Sequence, residues 1–220
     1  MGILVVTIFM MIFPARESVG ILLPLLIIGD LFAVIYYRRH VVWKYLLSLM
    51  PWVLIGIVFG YVVLEFISSN QLKPLIGILV LLLIILHISR EKLGKRFVEL
   101  LPESRVFTYL MGILAGFTTM IGNAAGGVMA IYLLVKGLPK TEFVGTGAWF
   151  FLTVNLIKVP LYMSLGIVTG ESLLFNAKLI VFIIIGALLG VKVIQWMPQK
   201  MFQTVVLIFA AIGASRLIIG

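Results

Sequence analysis

Polar and apolar residues alternate in long blocks along this chain, not residue by residue. Apolar runs cover Gly2–Phe13, Val19–Tyr37, Tyr45–Leu64, Pro74–Ile88, Val106–Val135, Phe143–Val168, Leu173–Val191 and Met201–Ile219. A helix needs roughly 20 residues to cross a bilayer. The first run is too short for that, and Val106–Val135 is far too long for one crossing. No window shows the two-residue alternation of a membrane strand, so the runs predict helices. The fold class expected is all-α, a polytopic bundle in a membrane.

The long run carries its own break, Ile121-Gly122-Asn123-Ala124-Ala125-Gly126-Gly127. Gly and Asn are poor helix formers, and Asn is a good N-cap. The expectation is two short helices, the second starting near Asn123. A helix N-terminus inside lipid leaves N–H groups unpaired and a partial positive charge exposed. Such a break is tolerated only inside protein or beside water, where it makes a ready anion site. A glycine packing notch between helices is the plainer reading of the same residues.

Composition agrees with the block pattern. The chain has 220 residues, 63% hydrophobic, where a soluble domain has about 45–50%. There is no Cys, and His40 and His87 are far apart, so no metal centre is expected. No motif calls for a cofactor. Met1–Phe13 lacks the basic start and the cleavage site of a signal peptide. The net charge of +9 reads as loop charge that sets topology rather than as a surface for nucleic acid.

Those charges orient the chain. Arg38, Arg39 and Lys44 lie in one loop, and Arg90, Lys92, Lys95, Arg96 and Arg105 in another, two spans later. Both loops are therefore expected in the cytoplasm. Lys136 and Lys140 put the end of the broken segment on that side too, so Val106–Val135 must enter and return as a re-entrant pair. The C-terminus at Gly220 is then expected outside.

The chain also repeats. Phe13-Pro14-Ala15-Arg16-Glu17-Ser18-Val19-Gly20 matches Leu138-Pro139-Lys140-Thr141-Glu142-Phe143-Val144-Gly145 at an offset of 125. The same offset pairs Asp30 with Asn155, Leu31 with Leu156, Val34 with Val159 and Tyr37 with Tyr162. After a five-residue insertion, Gly56-x-x-x-Gly60 pairs with Gly186-x-x-x-Gly190. The two Pro turns face opposite sides, so the halves are expected to be inverted repeats, as in many transporters. The organisation expected is a first repeat at 1–89, a basic cytoplasmic loop at 90–105 and a second repeat at 106–220. Gly127 maps onto Gly2, so the first repeat is expected to lack its N-terminal Gly-rich half-helix.

With these residues in order, the chain resembles the sulfite exporter (TauE/SafE) family of transmembrane anion permeases. The resemblance rests on the Gly-rich break, Gly137-Leu138-Pro139-Lys140, Gly145-Thr146, Asn155-Leu156-Ile157-Lys158-Val159-Pro160 and the following Gly-x-x-x-Gly helix. In the first half it rests on Pro14 to Gly20, on Gly29-Asp30-Leu31-Phe32-Ala33 and on Tyr37 to Trp43. Two places depart from the family pattern. Asn123-Ala124-Ala125-Gly126-Gly127 stands where a run of three Gly is usual, and Gly147 where Ser often follows Gly-Thr. The resemblance implies transport of sulfite, a sulfonate or another small anion.

The candidate site residues are Asn123, Thr146, Asn155, Lys158 and Asp30. Lys158 lies deep in an apolar run, where a charge costs about 2.5–3.5 kcal/mol. It is read as an anion counter-charge, or else as a snorkelling side chain or a structural partner of Asp30. Asp30 and Asn155 suit a midplane site between repeats, or simply a hydrogen bond between helices; an ionised Asp30 repels an anion, so it is expected to pair with Lys158 or to take a proton. Thr146, Thr118 and Thr119 offer hydroxyls to an oxyanion, or bond their own helix backbone. Pro160 reads as a kink, Glu17 and Glu142 as charges at helix starts.

The function expected is a secondary transporter of a small anion in the cell membrane, with repeats rocking about the site. The alternative is a membrane scaffold or an intramembrane enzyme. No acid–base pair or nucleophile triad supports an enzyme. The partners expected are a small anion and the lipid bilayer. Homo-oligomers are left open, and nucleic acid is not expected.

Overall fold

In a computed structural model, residues 8–10, 12–93, 104–170, 172–177, 179 and 185 are described. They form six principal helices: α1 Ala15–Tyr37, α2 Trp43–Phe66, α3 Ser69–Leu93, α4 Arg105–Gly122, α5 Gly126–Val135 and α6 Lys140–Ser164. There is no strand among them. Four helices are long and apolar enough to cross a membrane: α1, α2, α4 and nearly all of α6. Their outward faces carry large apolar side chains, among them Ile35, Val58, Phe59 and Phe66. Water cannot solvate such a surface and lipid can, so this is a membrane protein.

The helices overrun the apolar blocks because their first turns are polar. Pro14 and Pro139 stand just before α1 and α6 with nearly the same backbone, ψ 146° and 155°. Each ring fixes φ where a helix can begin. Glu17 and Glu142 lie in the first turns, where a carboxylate favours the helix dipole.

Glycines set how closely the helices meet. A Cβ on Gly56 of α2 would stand 2.1 Å from Ile113 O of α4, and one on Gly116 of α4 would stand 2.1 Å from Val53 O of α2. Gly60 meets Met120, and Gly112 meets Trp52. Two Gly-x-x-x-Gly faces therefore lock together, backbone against backbone. Gly56 and Gly60 stand out in the sequence through their repeat match, whereas nothing there marks their partners, Gly112 and Gly116. Contacts advance together along both helices, so α2 and α4 are parallel. Their starting ends, Lys44 and Arg105, lie on one face of the bundle. Lys136 joins them there, its Nζ 5.6 Å from the Tyr45 ring centroid.

α1 and α6 pack antiparallel. Gly20 near the start of α1 abuts Ile167 beyond the end of α6, and Gly145 near the start of α6 abuts Tyr37 and His40 at the end of α1. Between these contacts, Val34 packs with Ala148 and Leu152.

The long apolar run is indeed broken. α4 ends at Gly122, and α5 turns back along it, with the Tyr132 ring 6.4 Å from Phe107 near the start of α4. The Tyr132 hydroxyl donates to Tyr45 O at 3.1 Å, on the same face. Both ends of the broken segment thus lie on one face of the bundle, as a re-entrant pair requires. The basic stretch 94–103, the residues around Gly2, Gly186 and Gly190, and Gly220 lie outside the described residues.

Candidate functional site

The break is built differently from the N-cap expected of Asn123. Asn123 closes α4 as its C-cap, with φ 52° and ψ 32°. It is the one non-glycine with positive φ among the described residues. Asn tolerates this left-handed turn better than most residues, and the turn satisfies the last carbonyls of the helix. Asn123 N–H donates to Thr119 O at 3.0 Å and Ala124 N–H to Thr118 O at 3.1 Å. The Asn123 N–H is thus spent on α4. The next helix starts three residues later, at Gly126, with Ala125 as its N-cap and no side chain capping it. Gly126 is exposed, and a Cβ there would meet nothing within 4 Å.

The turn holds the Asn123 side chain in the protein interior. Its Nδ2 donates to Val19 O of α1 at 3.2 Å. Its Oδ1 accepts from Lys158 Nζ. Lys158 is fully buried. Its ammonium also donates to Thr119 O at 3.1 Å and Thr119 Oγ1 at 3.2 Å. An ammonium has three N–H groups, and here three neutral oxygens take them. The Tyr162 ring lies 5.5 Å from Nζ, and its hydroxyl donates to Met120 O. Tyr162 was legible only as a repeat match to Tyr37. Its place four residues after Lys158, on one helix face, was the missed signal.

Asn155 is one turn before Lys158 on α6 and buried. Its Nδ2 donates to Asp30 Oδ2 at 2.7 Å. Asp30 is half-buried. The Asp30 carboxylate is thus engaged by Asn155, and Lys158 is engaged by Thr119 and Asn123. Asp30 and Lys158 are neighbours, yet no direct ion pair joins them.

Thr146 falls elsewhere. It is buried, and its Oγ1 accepts from Val42 N at 3.0 Å, in the turn between α1 and α2. Lys158 lies twelve residues further along α6, about 18 Å at the helical rise. The structure therefore brings together Asn123, Lys158, Asn155 and Asp30, but not Thr146. Thr118 donates to Ala115 O of its own helix, as buried threonines commonly do. Its neighbour Thr119 is the one that reaches the ammonium.

Depth follows from Thr146. It touches the backbone where α2 begins, and α2 has 24 residues, about 36 Å. Lys158 reaches Thr119 and Asn123 at the far end of α4, beside Met120, which packs on Gly60 of α2, so its ammonium lies well inside the bundle and far from the Lys44 face. A cation inside a membrane is costly, and such residues mark ion and substrate pathways.

The family model described as Sulfite exporter TauE/SafE matches residues 1–217. No curated protein and no solved structure matches the chain. With nearly the whole chain matched, and helices fit to cross a membrane, this protein belongs to the sulfite exporter TauE/SafE family.

Proposed function

We propose that the protein is a secondary transporter of a small anion, such as sulfite or a sulfonate, in the cell membrane. The observation that carries this reading is the Lys158 ammonium, fully buried inside the bundle and held by neutral oxygens only. Buried charges are normally paired, because an uncompensated one is expensive. A positive charge without a direct counter-ion, at the break between α4 and α5, is an environment that favours an anion. Asn123 and Thr119 fix the ammonium in place.

The antiparallel contact of α1 and α6, centred on matching residues, supports two inverted repeats that rock about this centre. Lys158 is closed off from both faces in the described arrangement, so loading requires α1 and α6 to shift relative to the α4–α5 break. No nucleotide motif is present in the sequence, so movement would draw on a gradient.

One observation favours a second reading. The three acceptors use all three Lys158 donors, which also suits a purely structural clamp in a membrane scaffold. Flux separates the two. Purified protein in liposomes should carry radiolabelled sulfite inward above the rate of empty liposomes, with saturation. Flux equal to that of empty liposomes, from correctly folded protein, would refute the transporter reading.

A further inference from the structure

In the middle of the described helices, two side chains can carry charge: Asp30 on α1 and Lys158 on α6. They are linked through one helical turn of α6. Asn155 binds Asp30 at 2.7 Å, and Lys158 follows three residues later on the same helix face. The other charges lie towards helix ends. On α6 those are Lys140 and Glu142, and on α1 they are Arg16 and Glu17, with Arg38 just beyond its end. On α3, the other helix packed on α1, the titratable residues in sequence are Lys73 and then His87, Arg90, Glu91 and Lys92. One carboxyl therefore stands next to one ammonium in a medium that screens charge poorly.

Resting on the transporter reading above, we propose that Asp30 couples anion to proton: the anion occupies the Lys158 site only when the Asp30 carboxyl is protonated. With Asp30 ionised, the pair is neutral overall and a second anion gains nothing from Lys158. With Asp30 protonated, the site carries one net positive charge, which a monoanion neutralises. The carboxyl can remain hydrogen-bonded in both states, because its unprotonated oxygen still accepts from Asn155. Asp30 is half-buried while Asn155 and Lys158 are buried, so the carboxyl is the less enclosed of the two charged groups. In the cycle, a proton from water on the loading side forms an O–H bond on the carboxylate. It returns to water on the release side as the anion leaves. No electrons move, and one anion with one proton crosses without net charge.

The test is calorimetric binding of methanesulfonate, a probe that stays a monoanion across neutral pH, to the purified full-length chain over a pH series. A dye in weak buffer reads proton uptake alongside. On the alkaline side of the Asp30 titration, the parent's dissociation constant should rise about tenfold per pH unit, with about one proton taken up per anion. Asp30→Asn mimics the protonated carboxyl and should bind with no pH dependence and no proton uptake. Asp30→Glu keeps a titrating carboxyl and should retain the slope. A flat profile in the parent would overturn the proposal, as would a full slope in Asp30→Asn or loss of binding in that variant while the parent binds. Absence of binding in the parent and both variants at every pH would overturn the anion site itself, and the coupling with it. Pure anion binding without proton uptake would leave the site standing and remove the coupling alone.

Discussion

Asn155 donates to Asp30 across 2.7 Å, and the two residues occupy the same position, 125 residues apart, in two similar stretches of the chain. If the halves are inverted repeats, as proposed above, equivalent residues of two antiparallel helices meet only near the two-fold axis. Gly20 and Gly145, also 125 apart, extend the pattern, each abutting the far end of the other's helix. An exchange of the central pair should therefore be tolerated. Asn155→Leu should strip the carboxylate of its donor and lower stability by about 1–3 kcal/mol. The double exchange Asp30→Asn with Asn155→Asp should recover most of that loss. Thermal unfolding followed by size-exclusion fluorescence measures both. A double exchange no better than Asn155→Leu would mean that the two positions are not equivalent.

The glycine seam sets a second expectation. Gly56→Ala or Gly116→Ala would place a methyl about where a backbone oxygen of the facing helix now stands. Since backbone cannot rotate away as a side chain can, each should cost about 1–3 kcal/mol, or more. Gly29→Ala, where a Cβ meets nothing within 4 Å, should be neutral or slightly stabilising within its helix. The same unfolding assay would detect the contrast. Equal melting temperatures for all three variants would show that α2 and α4 are not in backbone contact.

The parallel run of α2 and α4 fixes which ends share a face. Cysteines introduced singly at Val41, Ser104 and Gly137 should react with an impermeant maleimide from one side of the membrane, and those at Ser68 and Thr169 from the other. The absence of native Cys leaves no background. By the Lys/Arg bias, the first group should be cytoplasmic. Labelling of Ser104→Cys and Val41→Cys from opposite sides would contradict the parallel pair.

Much of this architecture could be read from residue order, and the reasons are local. Block hydrophobicity shows where helices lie in a bilayer because lipid demands apolar surface all round a helix. The break at Gly122–Gly127 was legible because Gly and Asn weaken a helix whatever surrounds them. Asn123 as a C-cap was not, because Asn suits both a helix start and a left-handed turn, and only the hydrogen bonds from Asn123 and Ala124 decide between them. Asp30 and Asn155 were paired in advance by the repeat offset. Thr146 was placed beside Lys158 through motif order alone, and helical rise separates them by about 18 Å. Thr119 over Thr118 could not be chosen from sequence, since the two differ only in which side of α4 they face.

The most searching expectation concerns Lys158. Lys158→Met retains length and flexibility and deletes the charge. It also leaves Thr119 Oγ1 and Asn123 Oδ1 without their donor, so some loss of stability is expected, about 1–3 kcal/mol. Stability alone therefore cannot distinguish an anion counter-charge from a structural clamp. Lys158→Arg keeps the charge, but its planar guanidinium cannot reproduce the three-way grip of the ammonium. If the charge recognises the anion, Lys158→Arg should retain measurable sulfite flux in liposomes despite an equal or larger loss of stability. Lys158→Met should fall to the rate of empty liposomes while remaining folded at the assay temperature. If Lys158 is only a clamp, flux should instead follow melting temperature across both variants. Thr119→Val supplies the control, removing one neutral acceptor and leaving the charge. It should lower stability and reduce flux by less than about tenfold. Parent-like flux in Lys158→Met, at matched protein content, would remove Lys158 from anion recognition altogether.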